Sequence, residues 1–273
     1  MHFLKFPGPE GLELSCIDYG GEGGAPVLLM HGAAAHSRWW DFTAPALTDR
    51  YHVVALDRRG HGDSQWAQSG RYEIEDYMAD MHAVIAKRGL GAAFLVAHSG
   101  GGLPCIMYAA HYPHNVRGMV LLETRPVYDL EMVERMRNRA PRPPRTFSSL
   151  EEARKSFRLT PPTAGAPPAM VDHLSRHSFR QLPGGEWINK LDRNTGRRLH
   201  AFDGIQWMRR VSCPVLVVRA GQSTMNRREE LEQLAAASAR GAFVEISGAD
   251  HQIILDSTDA VIRIVRGFLE RNW

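Results

Sequence analysis

The chain has few cysteines and no long apolar run. The three cysteines, Cys16, Cys105 and Cys213, are an odd number and lack the spacing of a metal site. We expect them to be reduced and buried. No stretch reaches the roughly 18 apolar residues of a membrane span, and the start of the chain lacks the apolar core and cleavage site of a signal peptide. These absences predict a cytoplasmic protein that does not bind membranes.

The chain also lacks a strong excess of one charge. It carries 33 lysines and arginines against 30 aspartates and glutamates, a net charge of +3. That excess is too small for a nucleic-acid-binding surface. No fixed period repeats along the chain, which argues against a solenoid or propeller. We expect a small-molecule ligand, with no metal and no cofactor, and the sequence leaves the oligomeric state open.

Short apolar runs alternate with longer helical patterns along most of the chain. The predicted strands are residues 12–18, 26–30, 51–57, 92–98, 116–123, 213–220 and 242–247. The run at 92–98 is apolar almost throughout, which is typical of a central strand buried on both faces. Residues 72–88 and the last 16 residues have the 3.6-residue spacing of helices. This alternation predicts an α/β protein with a mostly parallel central sheet flanked by helices.

Residues 126–206 have a different composition. Seven of the 16 prolines fall between Pro141 and Pro168, and 14 lysines and arginines face 9 acidic residues across the segment. Helical patches occur near 127–139, 148–158 and 169–180, and no run reads as a strand. We therefore expect a mostly helical cap inserted into a core made of residues 1–125 and 207–273.

The strongest local signal is Ala97-His98-Ser99-Gly100-Gly101, placed where a predicted strand turns directly into a helix. A serine hydroxyl is a weak nucleophile and must be held exposed beside a base. A sharp strand-to-helix turn does this, but its tight backbone admits only small residues two before and two after the serine. The following helix directs its free N–H groups toward developing negative charge. Ser99 is therefore the predicted nucleophile.

Three further segments stand in a sensible order around Ser99. They are HGAAA at 31–35, DRRGHGDS at 57–64 and SGADHQIILD at 247–256. With the serine turn, they make the chain resemble the α/β-hydrolase superfamily, in its serine hydrolase branch with a helical cap. The likeness covers nearly all of the chain except the cap. The departure is Ala97, where the family usually has glycine, and alanine is small enough for the turn to form.

The resemblance implies roles for residues outside the serine turn. His251 becomes the general base, and the backbone N–H groups of Ala33 and Gly100 form the oxyanion hole. His98 packs without reacting, and Arg58 belongs to a segment that shapes the scaffold. The candidates for the wall of the substrate pocket are His36, Trp39, Trp40 and Arg125.

The acid of the triad is ambiguous in this sequence. The family most often carries it as G-x-x-D after a later strand, but that region reads RAGQSTMNRREE, without an aspartate. Glu123 ends the strand at 116–123, and some branches of the superfamily carry the acid there. A buried carboxylate needs a partner, so an ion pair with Arg125 is the structural alternative. Asp250 is the second candidate, although its place beside His251 makes a productive side-chain geometry awkward.

Three functions remain open at this point. The resemblance implies first a hydrolase that cleaves an ester, lactone or related acyl bond through an acyl-enzyme. A C–C bond hydrolase or an acyltransferase would use the same triad, because one fold hosts many reactions. A small-molecule receptor with a weakly active triad belongs to a different class, and turnover of a generic ester would count against it. Dehalogenase chemistry is disfavoured, because a serine occupies the position of the required carboxylate.

Overall fold

The computed structural model describes residues 1–139 and 143–273, so residues 140–142 of the predicted cap lie outside the described part. In chain order the strands are β1 (His2–Pro7), β2 (Glu13–Gly20), β3 (Ala25–Met30), β4 (Tyr51–Asp57), β5 (Ala93–His98), β6 (Val116–Leu122), β7 (Val127–Tyr128), β8 (Thr146–Phe147), β9 (Phe179–Gln181), β10 (Trp187–Asn189), β11 (Phe202–Asp203), β12 (Val215–Ala220) and β13 (Gly241–Ile246). The helices are α1 (Ile74–Lys87), α2 (Gly102–His111), α3 (Leu130–Arg139), α4 (Leu150–Lys155), α5 (Pro168–His177), α6 (Gly204–Met208), α7 (Arg228–Ala236), α8 (Ile253–Asp256) and α9 (Thr258–Arg271).

Eight strands form the central sheet in the order β1-β2-β4-β3-β5-β6-β12-β13. β1, β2 and β4 pair antiparallel at one edge, and all other neighbours pair parallel. The mostly parallel α/β sheet predicted from the sequence is therefore confirmed. The carboxyl ends of β3, β5, β6 and β12 lie side by side, which is where open α/β sheets place their sites.

Both faces of the central strands are buried. Successive side chains of a strand point to opposite sides, so each strand contributes to two cores. Leu95 and Ala97 of β5 belong to the core cluster that includes residues of α1, α2 and α7. Phe94 and Val96 belong to the opposite cluster, which includes residues of α8 and α9. The near-continuous apolar run of β5 thus packs into both cores, which fixes the carboxyl end of the strand.

The edge strand β1 has no counterpart among the predicted strands. Its residues are exposed or half-buried along their whole length, and Phe3 is more than half exposed. An edge strand with one open face gives no buried alternation, and its last residue is Pro7, which cannot donate to a ladder. The pairing with β2 is therefore visible only in three dimensions.

The two ends of the segment between β6 and β12 lie next to each other. β7 pairs antiparallel with β11, with Tyr128 opposite Phe202, so the chain returns to where it left the sheet. The expectation that 126–206 holds no strand was wrong. β8, β10 and β9 form a small three-stranded sheet, and strands of two or three residues are too short to create an alternating pattern. The assignment of 126–206 as a cap stays a prediction. The helix α6 spans the expected boundary at residue 206 and packs against α2 and α7.

All three cysteines are free and buried. Burial raises the pKa of the Cys16 thiol to about 12 and that of Cys213 to about 11, so both thiols stay protonated. Within residues 1–139 and 143–273, no helix combines the length and apolar character needed to cross a membrane.

Candidate active site

Ser99 stands in a strained turn between β5 and α2. Its φ is +50°, a left-handed conformation that non-glycine residues rarely adopt. Two residues on, a Cβ on Gly101 would lie 2.6 Å from the carbonyl oxygen of His31, so only glycine fits there. Ala97, two residues before, is fully buried in β5. The turn therefore forms with alanine two residues before the serine, where the family usually has glycine, and with glycine two residues after it.

The imidazole of His251 lies beside the Ser99 hydroxyl. His251 Nε2 is 3.0 Å from Ser99 Oγ, within hydrogen-bond distance. His251 follows the turn after β13, and His98 Nε2 donates to its backbone carbonyl over 2.8 Å. This bond ties the position of His251 to the residue next to the serine. Burial, followed by the nearby His251, lowers the pKa of His98 to about 3, so His98 is neutral.

Glu123 lies on the other side of the same imidazole. Its Oε2 is 3.0 Å from His251 Nδ1, and its side chain is fully buried. Glu123 follows the last residue of β6 with a φ of +53°. Ser99 and Glu123 thus both have strained backbone conformations, which persist only where the surrounding structure fixes them. Both ring nitrogens of His251 thus contact the side chains that the sequence singled out.

Three further donors surround the Glu123 carboxylate. The backbone N–H of Ala220 donates to Oε1 over 2.8 Å, while Ser223 Oγ and Asn226 Nδ2 donate to Oε2 over 2.6 and 3.1 Å. Burial by itself raises the pKa of Glu123, but the hydrogen bonds from His251, Ser223 and Ala220 outweigh it, and the pKa is lower than usual. Glu123 is therefore a carboxylate at neutral pH.

Asp250 and Arg125, the alternatives named for Glu123, take other partners. Asp250 Oδ1 accepts the backbone N–H of His251 over 2.7 Å, and no hydrogen bond joins this carboxylate to the ring among the described residues. Arg125 donates to the backbone carbonyl of Met225 and not to Glu123. The described contacts thus place Glu123, and not Asp250, against the imidazole.

The backbone segments of Ala33 and Gly100 meet in front of Ser99. A Cβ on Gly100 would lie 3.5 Å from the backbone nitrogen of Ala33. Arg58 holds the two segments together, because its guanidinium donates to the carbonyl oxygens of Gly32 and Gly100 over 3.1 and 3.0 Å. Ala34 has a φ of +56°, which bends the loop at this point. The two expected oxyanion donors are therefore neighbours.

A cavity of about 220 Å³ opens at Ser99 and His251. Trp39 and Arg125 line it as expected. Its other walls come from Gly32, Ala33, Ala34, Ala35, His98, Tyr128, Met132, Met136, Thr160, Pro161, Met225, Asn226 and Gln252.

His36 and Trp40 do not line this cavity, contrary to expectation. His36 is buried and its Nε2 lies 3.0 Å from Ser178 Oγ, while Trp40 is fully buried in the core. The 3₁₀ helix over Ser37–Phe42 explains the outcome for Trp40, since it turns adjacent side chains in different directions.

Sequence reasoning missed Ser223 and Asn226. They lie 100 and 103 positions from Glu123 in the chain, and contacts at that separation leave no local pattern. One signal was present. The segment RAGQSTMN at 219–226, which lacks the usual aspartate, still carries polar residues at the end of a buried strand.

Comparisons with known proteins show the family and the fold of the chain. A family model described as alpha/beta hydrolase fold matches residues 25–161. The chain is 30% identical to esterase Rv0045c of Mycobacterium tuberculosis, over 94% of this chain and 86% of that protein. It is 26% identical to 2-(acetamidomethylene)succinate hydrolase of Mesorhizobium japonicum, over 91% and 90% respectively. A crystal structure of E-2-(acetamidomethylene)succinate hydrolase has a TM-score of 0.83 at 24% identity, covering 98% of this chain and 100% of that one.

Proposed function

The chain belongs to the α/β-hydrolase family, and from that premise we propose that it is a serine hydrolase of small-molecule esters, lactones or related acyl compounds. The observation that carries the proposal is that the side chains of Ser99, His251 and Glu123 lie within hydrogen-bond distance of one another in that order. Ser99 Oγ lies 3.0 Å from His251 Nε2, and His251 Nδ1 lies 3.0 Å from Glu123 Oε2. The names of two relatives, an esterase and a hydrolase, support the same class of reaction.

The first step forms an acyl-enzyme. Ser99 Oγ attacks the substrate carbonyl carbon while its proton passes to His251 Nε2. The carbonyl π electrons move to the oxygen, and the backbone N–H groups of Ala33 and Gly100 stabilise the resulting oxyanion. Glu123 accepts the Nδ1–H of His251, which sets the ring tautomer and stabilises the imidazolium. When the carbonyl re-forms, the bond to the leaving group breaks and His251 returns its proton to that group.

Water completes the cycle in the second step. A water molecule attacks the acyl carbon while His251 Nε2 takes its proton, and the same N–H groups stabilise the second oxyanion. Collapse of this intermediate releases a carboxylic acid and returns the proton to Ser99. His98 is neutral, so the carboxylate of Glu123 is the charge that faces the His251 imidazolium.

We also propose that residues 126–206 act as a cap that sets specificity. Tyr128, Met132, Met136, Thr160 and Pro161 all come from this segment, and all line the cavity at Ser99. Gln252, next to the base, donates to the carbonyl of Pro161 over 3.1 Å. Chemistry would thus reside in the core and substrate choice in the inserted segment. The three free, buried cysteines support a cytoplasmic location.

Hydrolysis of p-nitrophenyl esters by wild type and by Ser99→Ala tests the proposal. We expect wild-type turnover and a loss on the order of 10⁶ in kcat for the variant, since removal of a triad nucleophile has that effect. Ser247→Ala, an exposed serine on the loop before His251, is the matched control. Absence of wild-type turnover on any ester or lactone would favour the receptor function. Undiminished activity of Ser99→Ala would overturn the nucleophile assignment.

A further inference from the structure

A second cavity of about 310 Å³ adjoins the catalytic one, with Ala34 and Thr160 in the walls of both. Three arginines line it, together with three phenylalanines. They are Arg145, Arg158, Arg193, Phe147, Phe157 and Phe179. We call this cavity the arginine groove. It lies within the inserted segment, apart from Ala34, and has no part in the triad chemistry.

In the part of the chain that the structure describes, the arginines of the groove have no acidic partner within ion-pair distance. Among residues 1–139 and 143–273, no carboxylate lines the groove, and none of its three arginines forms an ion pair. Arg158 donates to the backbone carbonyls of Lys155 and Phe157, and the Arg145 guanidinium stacks on Phe147 at 4.7 Å. Arg154, a neighbour on α4, pairs instead with Asp172. All three arginines are exposed, so water screens their mutual repulsion, and their combined positive charge still attracts an anion.

We propose that the arginine groove binds an anionic group, a carboxylate or a phosphate, that the substrate carries away from its scissile bond. This inference rests on the proposed function, because it takes the occupant to be the substrate of Ser99. Guanidinium groups form bidentate hydrogen bonds with carboxylate and phosphate oxygens. The phenylalanine rings supply an apolar wall for the carbon chain beside the charge. Arg125 adds a fourth cation, in the wall of the catalytic cavity.

Matched esters test this binding site. One pair compares p-nitrophenyl monoesters of dicarboxylic acids with neutral p-nitrophenyl esters of equal chain length. A second pair compares acyl thioesters of phosphopantetheine with those of dephosphorylated pantetheine. The protein variants are the triple Arg145→Gln/Arg158→Gln/Arg193→Gln and the control Arg197→Gln. Arg197 is exposed in the same segment as Arg193 but lines a different pocket.

We expect the anionic member of one pair to have a kcat/KM at least tenfold above its neutral partner. The triple variant should lower this ratio at least tenfold, whereas Arg197→Gln should leave it unchanged. The pair that responds identifies carboxylate or phosphate as the ligand. Added salt should lower the ratio as well, because exposed charges are screened. Equal kcat/KM values within both pairs, or a triple variant with the wild-type ratio, would overturn the inference. Hydrolysis of the neutral esters would still stand or fall with Ser99, so the two failures are distinguishable.

A separate observation concerns Arg58, which is buried without a carboxylate partner in the described residues. Its guanidinium donates to the carbonyl oxygens of Gly32 and Gly100 and lies over the Tyr77 ring at 4.6 Å, while its Nε has no partner. The carbonyl of Gly32 shares a peptide group with the N–H of Ala33. A cation bonded to that oxygen orients the peptide and polarises the N–H at its other end.

We infer that Arg58 is a positioning residue for the oxyanion hole. The matched pair of variants is Arg58→Lys and Arg59→Lys, since Arg59 is equally buried but pairs with Asp80 over two bonds of 2.7 Å. Direct removal of an oxyanion-hole donor costs about 10²–10³ in kcat. Arg58 does not contact the oxyanion itself and acts through the peptide group between Gly32 and Ala33. We therefore expect Arg58→Lys to lower kcat about 10- to 100-fold, with KM within about twofold. Arg59→Lys should lower Tm without that pattern.

A binding measurement separates this role from general loosening of the fold. A boronic acid that forms an oxyanion adduct with Ser99 should bind Arg58→Lys more weakly by the same factor as kcat falls. The product carboxylate, which does not place an oxyanion there, should keep its affinity. Arg58→Gln is the second variant if the lysine variant does not fold. Equal losses for both ligands, or a kcat equal to wild type, would contradict the inference.

Discussion

Ser223 donates its hydroxyl to Oε2 of Glu123 over 2.6 Å, from the loop that follows β12. By resemblance, that loop is where the family most often places the acid of the triad. Here it holds a donor, and the carboxylate comes from the end of the neighbouring strand β6. The two positions converge because β6 and β12 are parallel neighbours. A short polar residue in the loop thus suits an acid that reaches the histidine from β6.

Glu123→Gln keeps the shape of the side chain but removes its charge. We expect kcat to fall by up to about 10⁴-fold, as for the same kind of change in a serine protease, because the histidine loses its tautomer and the imidazolium its counter-charge. Asp250→Asn is the control, since in the described part of the chain the Asp250 carboxylate accepts the backbone N–H of His251 and does not bond its ring. Its effect should be at least about tenfold milder, each tenfold being 1.4 kcal/mol. A silent Glu123→Gln beside an impaired Asp250→Asn would show that the acid is misassigned.

Ser223→Ala removes one of four hydrogen bonds to the Glu123 carboxylate. Such a bond to a charged group contributes about 1.5–3 kcal/mol, of which we expect only a part to reach the transition state. The expected loss in kcat is about 3- to 10-fold. Ser223→Thr keeps the hydroxyl and should recover most of that loss. Stopped-flow measurement of acylation would check this, and equal losses for both variants would argue that packing, not the hydroxyl, matters.

Met136→Ala should broaden the acyl specificity. Met136 lines the catalytic cavity and also a smaller pocket of about 60 Å³ on the side of Arg58 and Leu199. Truncation of the side chain would join the two spaces. We expect kcat/KM to rise for p-nitrophenyl esters of longer chains relative to the acetate. Met170→Ala, on α5 away from both cavities, should leave the chain-length profile unchanged. An unaltered profile in Met136→Ala would count against the proposed cap.

The stability of the fold should fall below about pH 6.5. Burial, the largest cause in each case, lowers the pKa of His61 and His98 to about 3 and that of His31 and His36 well below the usual value. Below pH 6.5 the unfolded chain therefore binds protons that the folded chain does not. Each such histidine removes up to about 1.4 kcal/mol of stability per pH unit.

Three carboxylates act in the opposite direction, because burial raises the pKa values of Asp57, Asp80 and Asp256. Burial raises the pKa of Asp57 to about 6, so between its ordinary value and pH 6 the folded chain binds a proton more readily than the unfolded chain. Burial also lowers the pKa of His177 to about 4, so five histidines stand against three aspartates. Urea unfolding at pH 7 and pH 5.5 measures the difference. His36→Gln should make the dependence shallower by one histidine, and the exposed His114→Gln should not change it. Stability independent of pH over this interval would contradict the neutral state of these buried rings.

Local patterns predicted the parts of the structure whose causes are local. The Ser99 turn depends on small residues and on the change from strand to helix, and both are visible in ten consecutive letters. Glu123 was predicted because some branches of the family carry the acid at that strand end, and because a carboxylate buried there needs a partner. Trp40 was misplaced because the direction of a side chain in a 3₁₀ helix depends on its packing, and His36 because its partner Ser178 lies 142 positions along the chain. Ser223 and the edge strand β1 depend on contacts that only the folded sheet creates.

Covalent labelling of the nucleophile tests the central claim most directly. The protein is treated with a fluorophosphonate, and the modified residue is located by mass spectrometry after proteolysis. We expect one adduct per chain on Ser99, with no labelling in Ser99→Ala and slow labelling in Glu123→Gln, because the oxygen is activated through His251. An adduct on another serine, or equal labelling of Ser99→Ala, would contradict the assignment of Ser99 as the nucleophile.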